Sequence, residues 1–243
     1  MTGMLSSMMI LLADDVDFYI KGLLKYTLFG QELWITTTHV GVLIIDIVLI
    51  VLMIVGYNKI KKTKADEKPC MLVNLLEMFV GFVDNMVTST MGVVNGKRFR
   101  NWICMILMFI LICNISGLFG LRAPTADYGV TFALGVITFF LIQVNGLRAK
   151  KWKHIKALFE PSPIMFPSNV IGEISTPISL SLRLFGNIMS GTIIMGLLYG
   201  LLPTALTVGI PAVVHIYCDM FSGVIQAYVF SMLTMVYIND KIS

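Results

Sequence analysis

Two stretches of this sequence carry no charged residue: Asn101 to Leu121, 21 residues, and Tyr128 to Leu147, 20 residues. A helix needs about 20 apolar residues to cross a hydrocarbon core about 30 Å thick, so each stretch predicts one membrane crossing. The loop between them, Arg122-Ala-Pro-Thr-Ala-Asp127, is short, which predicts a tight antiparallel hairpin over 101–147. The rest of the chain is composed in the same way. Residues of the AVILMFWYC set make up 57% of its 243 positions and only 13% are charged, against about 25% charged in a soluble domain. A water-facing surface cannot be built from this composition. The length holds about five or six crossings with their loops and leaves no room within it for an extramembrane catalytic domain.

The remaining segments are less uniform. Residues 33–58 predict a first crossing, interrupted by Asp46, for which the sequence offers no role. Residues 71–90 are largely apolar, yet Asn74, Glu77, Gly81, Asp84 and Thr88 recur along them. Their spacings of 3, 4, 3 and 4 draw one polar stripe along a helix, favouring an interfacial or partner-contacting helix over a crossing. After Pro161, Pro163 and Pro167 come two long segments, about 168–200 and 205–238. As continuous helices each would be roughly 50 Å long, more than the membrane is thick. They are expected to tilt, kink or protrude as a hairpin, with Pro177, Pro203 and Pro211 as candidate breaks.

The net charge of +4 reports orientation rather than nucleic-acid binding. Of the 18 Lys and Arg residues, 13 fall in the clusters 59–68, 97–100 and 148–156. By the positive-inside rule these clusters are cytoplasmic. The arrangement closes with an extracytoplasmic N-terminal segment over 1–30, five crossings, the polar-striped helix on the inner surface and a cytoplasmic C-terminus after Lys241. The expected fold class is therefore an all-α polytopic membrane protein forming a single domain over 1–243, with five crossings plus one interfacial helix. Cys70, Cys104, Cys113 and Cys218 form no CxxC pair and the three histidines are scattered, so neither a disulfide framework nor a metal centre is suggested. No cofactor is implied. The absence of a basic residue before the apolar patch Met4 to Ala13 argues against a cleaved signal peptide.

Between Arg183 and Asp219 lie 35 residues without a charge. A charge at the centre of a membrane helix costs about 2.5 to 3.5 kcal/mol even on the lenient insertion scale, so both residues demand a reason. With Leu201 as the turn of a hairpin, each is 18 residues from it, and the two are expected at similar depth. The neighbours are polar. Thr176, Ser179, Arg183, Asn187 and Ser190 follow at 3, 4, 4 and 3, while His215, Asp219, Ser222 and Gln226 follow at 4, 3 and 4. Two such stripes describe the wall of an aqueous path, or a surface along which a charged partner slides. A structural salt bridge is the plainer reading. Arginine holds its proton even in apolar surroundings, so Arg183 is a fixed cation. Gly186, Gly191 and Gly196, with the serines, would let a helix approach closely, either from this chain or from a partner.

The string Pro177-Ile-Ser-Leu-Ser-Leu-Arg183-Leu-Phe-Gly-Asn187 closely resembles the signature of subunit a of the F-type ATP synthase, the stator of a membrane rotor. The similarity continues in order and spacing through Asn114-Ile-Ser-Gly117, Pro124-Thr-Ala-Asp127 with Thr131, Phe166-Pro-Ser-Asn169 leading to Glu173, Gln226-Ala-Tyr-Val-Phe230 and Met232-Leu-Thr-Met-Val-Tyr237. Roughly residues 30–240 are covered. The resemblance implies a non-catalytic, ion-translocating subunit of the bacterial plasma membrane. Its partners would be a rotor ring of small c-type hairpin subunits and b-type peripheral-stalk subunits, and its ion a proton or sodium. By the same resemblance Arg183 matches the arginine that holds the passing ring carboxylate ionised and separates two half-channels. Gln226 matches the residue facing it, and Asn187 its neighbour one turn along. Where many bacterial relatives carry a glutamate nine residues after the arginine, this chain has Thr192. Asp219, with His215, is expected to take that role on the outer half-channel. Glu173 is the candidate for the inner one, its plainer role being a first-turn acid favoured by the helix dipole. Ser179 lines the path. The alternative class is a self-contained secondary transporter or channel with an Arg183/Asp219 gate; the absence of internal repeats argues against it.

Overall fold

The computed structural model describes residues 22–28, 31–62, 70–119, 123–152, 156, 159, 163–201, 214 and 216–242. His215, Arg122, Pro203 and Pro211, and the segment 1–21, lie outside the described residues. Among the described residues, five helices are long and apolar enough to cross a membrane. They are α1 (Thr37–Lys62), α2 (Met71–Ile115), α3 (Tyr128–Lys150), α4 (Phe166–Leu201) and α5 (Ser222–Ile242), the last preceded by a π-helical turn, Ile216–Phe221.

Ahead of α1 the chain forms a two-stranded antiparallel hairpin, β1 (Gly22–Leu28) and β2 (Gln31–Thr36), with Lys25 opposite Trp34 and Tyr26 opposite Leu33. The first crossing therefore starts at Thr37, not at residue 33. The expected run was too long because β2 is itself apolar at Leu33, Trp34 and Ile35; the polar run Thr36-Thr37-Thr38-His39 marks the junction with the helix. At its far end α1 continues to Lys62, its last turn carrying Lys59, Lys61 and Lys62.

The polar-striped segment and the next crossing form one helical element, α2, folded sharply at Gly92. That residue has φ 74° and ψ 170°, a conformation glycine reaches without a Cβ clash. The fold-back is visible in the contacts. Arg100 pairs with Asp84 at 3.1 Å, although sixteen residues along one straight helix would separate them by about 24 Å. The first limb, 71–91, turns Val83, Met86, Val87 and Met91 inward and leaves Asn74, Glu77, Gly81 and Thr88 exposed. Leu75, Met78 and Phe82 are exposed beside them, so this limb also turns apolar side chains outward.

α3 starts at Asp127, whose side chain accepts a hydrogen bond from the Gly129 N–H at 2.9 Å and caps the orphan amides. α4 then runs for 36 residues with Pro177 inside it, and Pro177 does not end the helix. Two contacts without room for a side chain hold the bundle together. A Cβ on Gly135 of α3 would lie 2.7 Å from the Pro177 carbonyl oxygen of α4, and one on Gly223 of α5 would lie 2.8 Å from the Asn114 Cβ. Close backbone approach of this kind substitutes for the hydrophobic drive that helices lack in lipid. Among the described residues the core has three parts, the smallest joining Ile45 and Leu49 of α1 to Cys113 of α2. A second joins Val87, Phe99, Ile103 and Leu107 of α2 to Ile142 of α3 and Met235 and Ile238 of α5. The third joins Ile106 and Ile110 of α2 to Leu180 and Leu184 of α4 and to Ala227 and Phe230 of α5.

Candidate functional site

α4 and α5 meet through polar side chains as well as apolar ones. The Ser222 hydroxyl donates to Asn187 Oδ1 at 2.7 Å, and Asn187 Nδ2 donates to the Ser222 carbonyl at 3.4 Å. One turn further along α4, the Cβ position of Gly191 is 3.4 Å from the Cys218 Cβ. Four residues forward on α4 thus correspond to four residues back on the opposing segment. Continued one turn the other way, the same register would bring Gln226 level with Arg183.

The same register corrects the expected level of Asp219. It comes opposite Ser190, about two turns or roughly 10 Å from Arg183 along the axis. Equal spacing from Leu201 presupposes a tight symmetrical turn, whereas Asn187 is paired with Ser222 and Gly191 with Cys218. Asp219 belongs to the π-helical turn Ile216–Phe221. Such turns are rare, and those that occur are frequently at functional sites.

One exposed line of α4, beside outward-facing Ile178, Leu182 and Ile193, consists of small groups around a cation. Ser179, Arg183, Gly186 and Ser190 are all exposed, and a Cβ at Gly172 or Gly186 would meet nothing within 4 Å. The small-residue line therefore divides: Gly191 packs within the chain, while Gly186 leaves open space beside Arg183. Among the described residues Arg183 has no acidic partner. Local hydroxyls return to the helix, with Ser190 Oγ donating to the Asn187 carbonyl at 2.9 Å and Thr192 Oγ1 to the Ile188 carbonyl at 3.0 Å. Gln226 is buried, and its Nε2 has no partner among the described residues. An unpaired buried amide costs about 1 to 3 kcal/mol, the kind of defect tolerated where a group is kept available.

Two polar nodes lie on either side of this level. Towards the α3 N-terminus, Asn114 is 1% exposed; its Nδ2 donates to the Gly223 carbonyl at 2.9 Å while Thr125 Oγ1 donates to its Oδ1 at 2.9 Å. That node ties the end of α2 and the 3₁₀ turn Pro124–Ala126 to the start of α5, on the Asp219 side of Arg183. At the opposite end, Glu173 of α4 forms an ion pair with Lys241 of α5 and accepts a hydrogen bond from Gln143 Nε2 of α3 at 2.6 Å. Glu173 lies ten residues, about 15 Å, before Arg183. It sits at the end of α3 that leads into Arg148, Lys150 and Lys151. Sequence reasoning missed Gln143, a lone amide inside a 20-residue apolar run, and counted Lys241 only as a topological charge. Asp46, which had no assigned role, lines an apolar cleft of about 700 Å³ between α1 and both limbs of α2, together with Gly56, Leu76, Val83 and Met105.

Comparison with known proteins agrees with this geometry. Residues 38–239 match the family described as ATP synthase A chain. The chain is 39% identical over 183 residues to "ATP synthase subunit a, sodium ion specific" of Propionigenium modestum, covering 68% of this chain and 62% of that relative. It is 35% identical over 221 residues to "ATP synthase subunit a" of Bacillus pumilus, covering 82% and 88% of the two chains. With the protein of the same name from Bacillus subtilis it shares 32% over 235 residues, covering 88% and 96%.

Proposed function

The chain belongs to the ATP synthase A chain family, and on that premise we propose that it is the ion-translocating stator subunit of a rotary ATP synthase, with Arg183 separating two half-channels. The observation that carries this reading is the exposed, small-residue line on α4 with a permanent cation at its centre. A face of this shape suits the helices of a rotor ring, each bringing one carboxylate. A cation beside a carboxylate in apolar surroundings favours its charged form. Arg183 therefore keeps each passing ring carboxylate ionised and bars a direct path between the two sides. The ion, a proton or sodium, rides the ring from one half-channel to the other. The membrane potential supplies about 2.3 kcal/mol per charge per 100 mV.

Separation in level supports the division of roles. Asp219, with His215 and Thr192, serves the outer half-channel on the Asn114 side, and Glu173 marks the inner one at the basic end of α3. Gln226, Asn187 and Ser179 line the passage around Arg183. The basic clusters put that inner end in the cytoplasm, with the N-terminal segment outside. The chain itself performs no covalent catalysis in this reading. Its partners are the c-type ring, b-type peripheral-stalk subunits and the lipid of a bacterial plasma membrane.

Purification in mild detergent tests the assembly. The chain is expected to come with a ring of small hairpin subunits and with stalk subunits, and to carry no ions across vesicles when reconstituted alone. A solitary chain that transports ions by itself would overturn the proposal.

A further inference from the structure

The inner end of the bundle holds a cluster drawn from three helices. Glu173 comes from α4, Lys241 from the last turn of α5 and Gln143 from α3. Lys241 Nζ engages Glu173 Oε1, and Gln143 Nε2 donates to Oε2 at 2.6 Å. The side chains of Lys241 and Glu173 are 30% and 22% exposed, so the pair is largely withdrawn from solvent. The other charged residues at this end of the neighbouring helices include Arg148 and Lys150 on α3, Asp240 on α5, and Lys97, Arg98 and Arg100 on α2, whose Phe99 packs with Ile238.

A carboxylate that carries an ion must offer an oxygen to it and then let it go. Here both oxygens are already engaged, one by a full charge, which is the stronger kind of hydrogen bond. We propose that Lys241 is a positioning residue for the inner half-channel, holding Glu173 as a fixed, compensated anion at its mouth so that ions pass the pair without binding to it. The inference rests on the half-channel reading above and deepens it. Glu173 becomes part of the wall, and Lys241 becomes the residue that prevents it from trapping the ion.

The cost of half a pair decides the test. Removing one partner of a buried ion pair leaves an uncompensated charge, whereas replacing both by neutral groups of similar size is often tolerated. The experiment uses the assembled complex in vesicles, with ATP-driven pumping measured against ion concentration at the inner face. Lys241→Met is expected to lower the maximal rate about tenfold and to lower the half-saturating ion concentration with it, since a bare carboxylate binds the cation and releases it slowly. A mere loosening of the fold would not lower both. Lys241→Arg is expected to behave as the unmodified complex. The double variant Glu173→Gln with Lys241→Met is expected to recover pumping to within about threefold.

A double variant as inactive as Glu173→Gln alone would show that Glu173 carries the ion and would overturn the inference. So would Lys241→Met with unchanged kinetics. Subunit composition of each purified complex separates these outcomes from failed assembly, and the double variant keeps the test decisive if Lys241→Met does not assemble. Arg183→Ala run in parallel distinguishes the two readings. Normal pumping in that variant would sink the half-channel reading itself; its loss beside an inactive double variant would sink only the role of Lys241.

Discussion

Arg183 was legible in the sequence because a permanent charge amid apolar residues has no cheap explanation. Asp219 was legible for the same reason, but its level relative to Arg183 was not, because depth depends on the connection between α4 and α5. The register through Asn187 and Ser222 puts it about two turns away, on the Asn114 side. That separation makes a prediction at the scale of one side chain. Asp219→Asn keeps the size and hydrogen bonding and removes the ionisable group. ATP-driven pumping by the assembled complex is expected to fall roughly a hundredfold, the lower range for a lost proton-transfer group. Unimpaired pumping would remove Asp219 from the outer half-channel. The Glu173, Lys241 and Gln143 cluster was beyond sequence reasoning altogether. Its members are up to 98 positions apart, and nothing in local spacing brings three helices to one carboxylate.

At the scale of the elements, crossings were readable from length and charge, and the first limb of α2 from its polar stripe. Two features were not. The β-hairpin before α1 was absorbed into an apolar run, because Leu33, Trp34 and Ile35 look the same whether strand or helix carries them. The fold-back at Gly92 joins what reads as two helices into one element, and the turn-forming pair nearby, Asn95-Gly96, lies inside the helix instead of at the fold. Glycines also separate contacts inside the chain from contacts made outside it. Gly135→Val forces a side chain against the Pro177 carbonyl, which lies 2.7 Å from the Cβ position. Overpacking of this kind costs about 1 to 3 kcal/mol, and the melting temperature of the purified complex is expected to fall. Gly186→Leu meets open space within the chain. It is expected to leave the stability of the isolated chain unchanged while blocking rotation of the assembled complex, read as ATP hydrolysis. Loss of chain stability would mean that this face packs inward.

For the whole molecule, orientation is the property on which every other role depends. Cys70 offers a direct probe. It is exposed just before α2, and its thiol is held below the usual thiol range by a hydrogen bond from the Leu72 backbone and by the nearby Lys59 ammonium. A lowered value means that thiolate, the reactive form, is present at lower pH than for an ordinary cysteine. A membrane-impermeant maleimide is expected to label Cys70 in inverted vesicles and not in right-side-out ones. Lys59→Met is expected to move the pH profile of that labelling upward. Labelling from the outside would reverse the topology and exchange the two half-channels.

The central claim is that Arg183 keeps the two half-channels apart while holding the ring carboxylate charged. The most direct test is ATP-driven ion pumping by vesicles containing the complete complex with Arg183→Ala, its subunit composition checked against the unmodified enzyme. The account predicts a complex that assembles and pumps no ions. Pumping at the unmodified rate would contradict it.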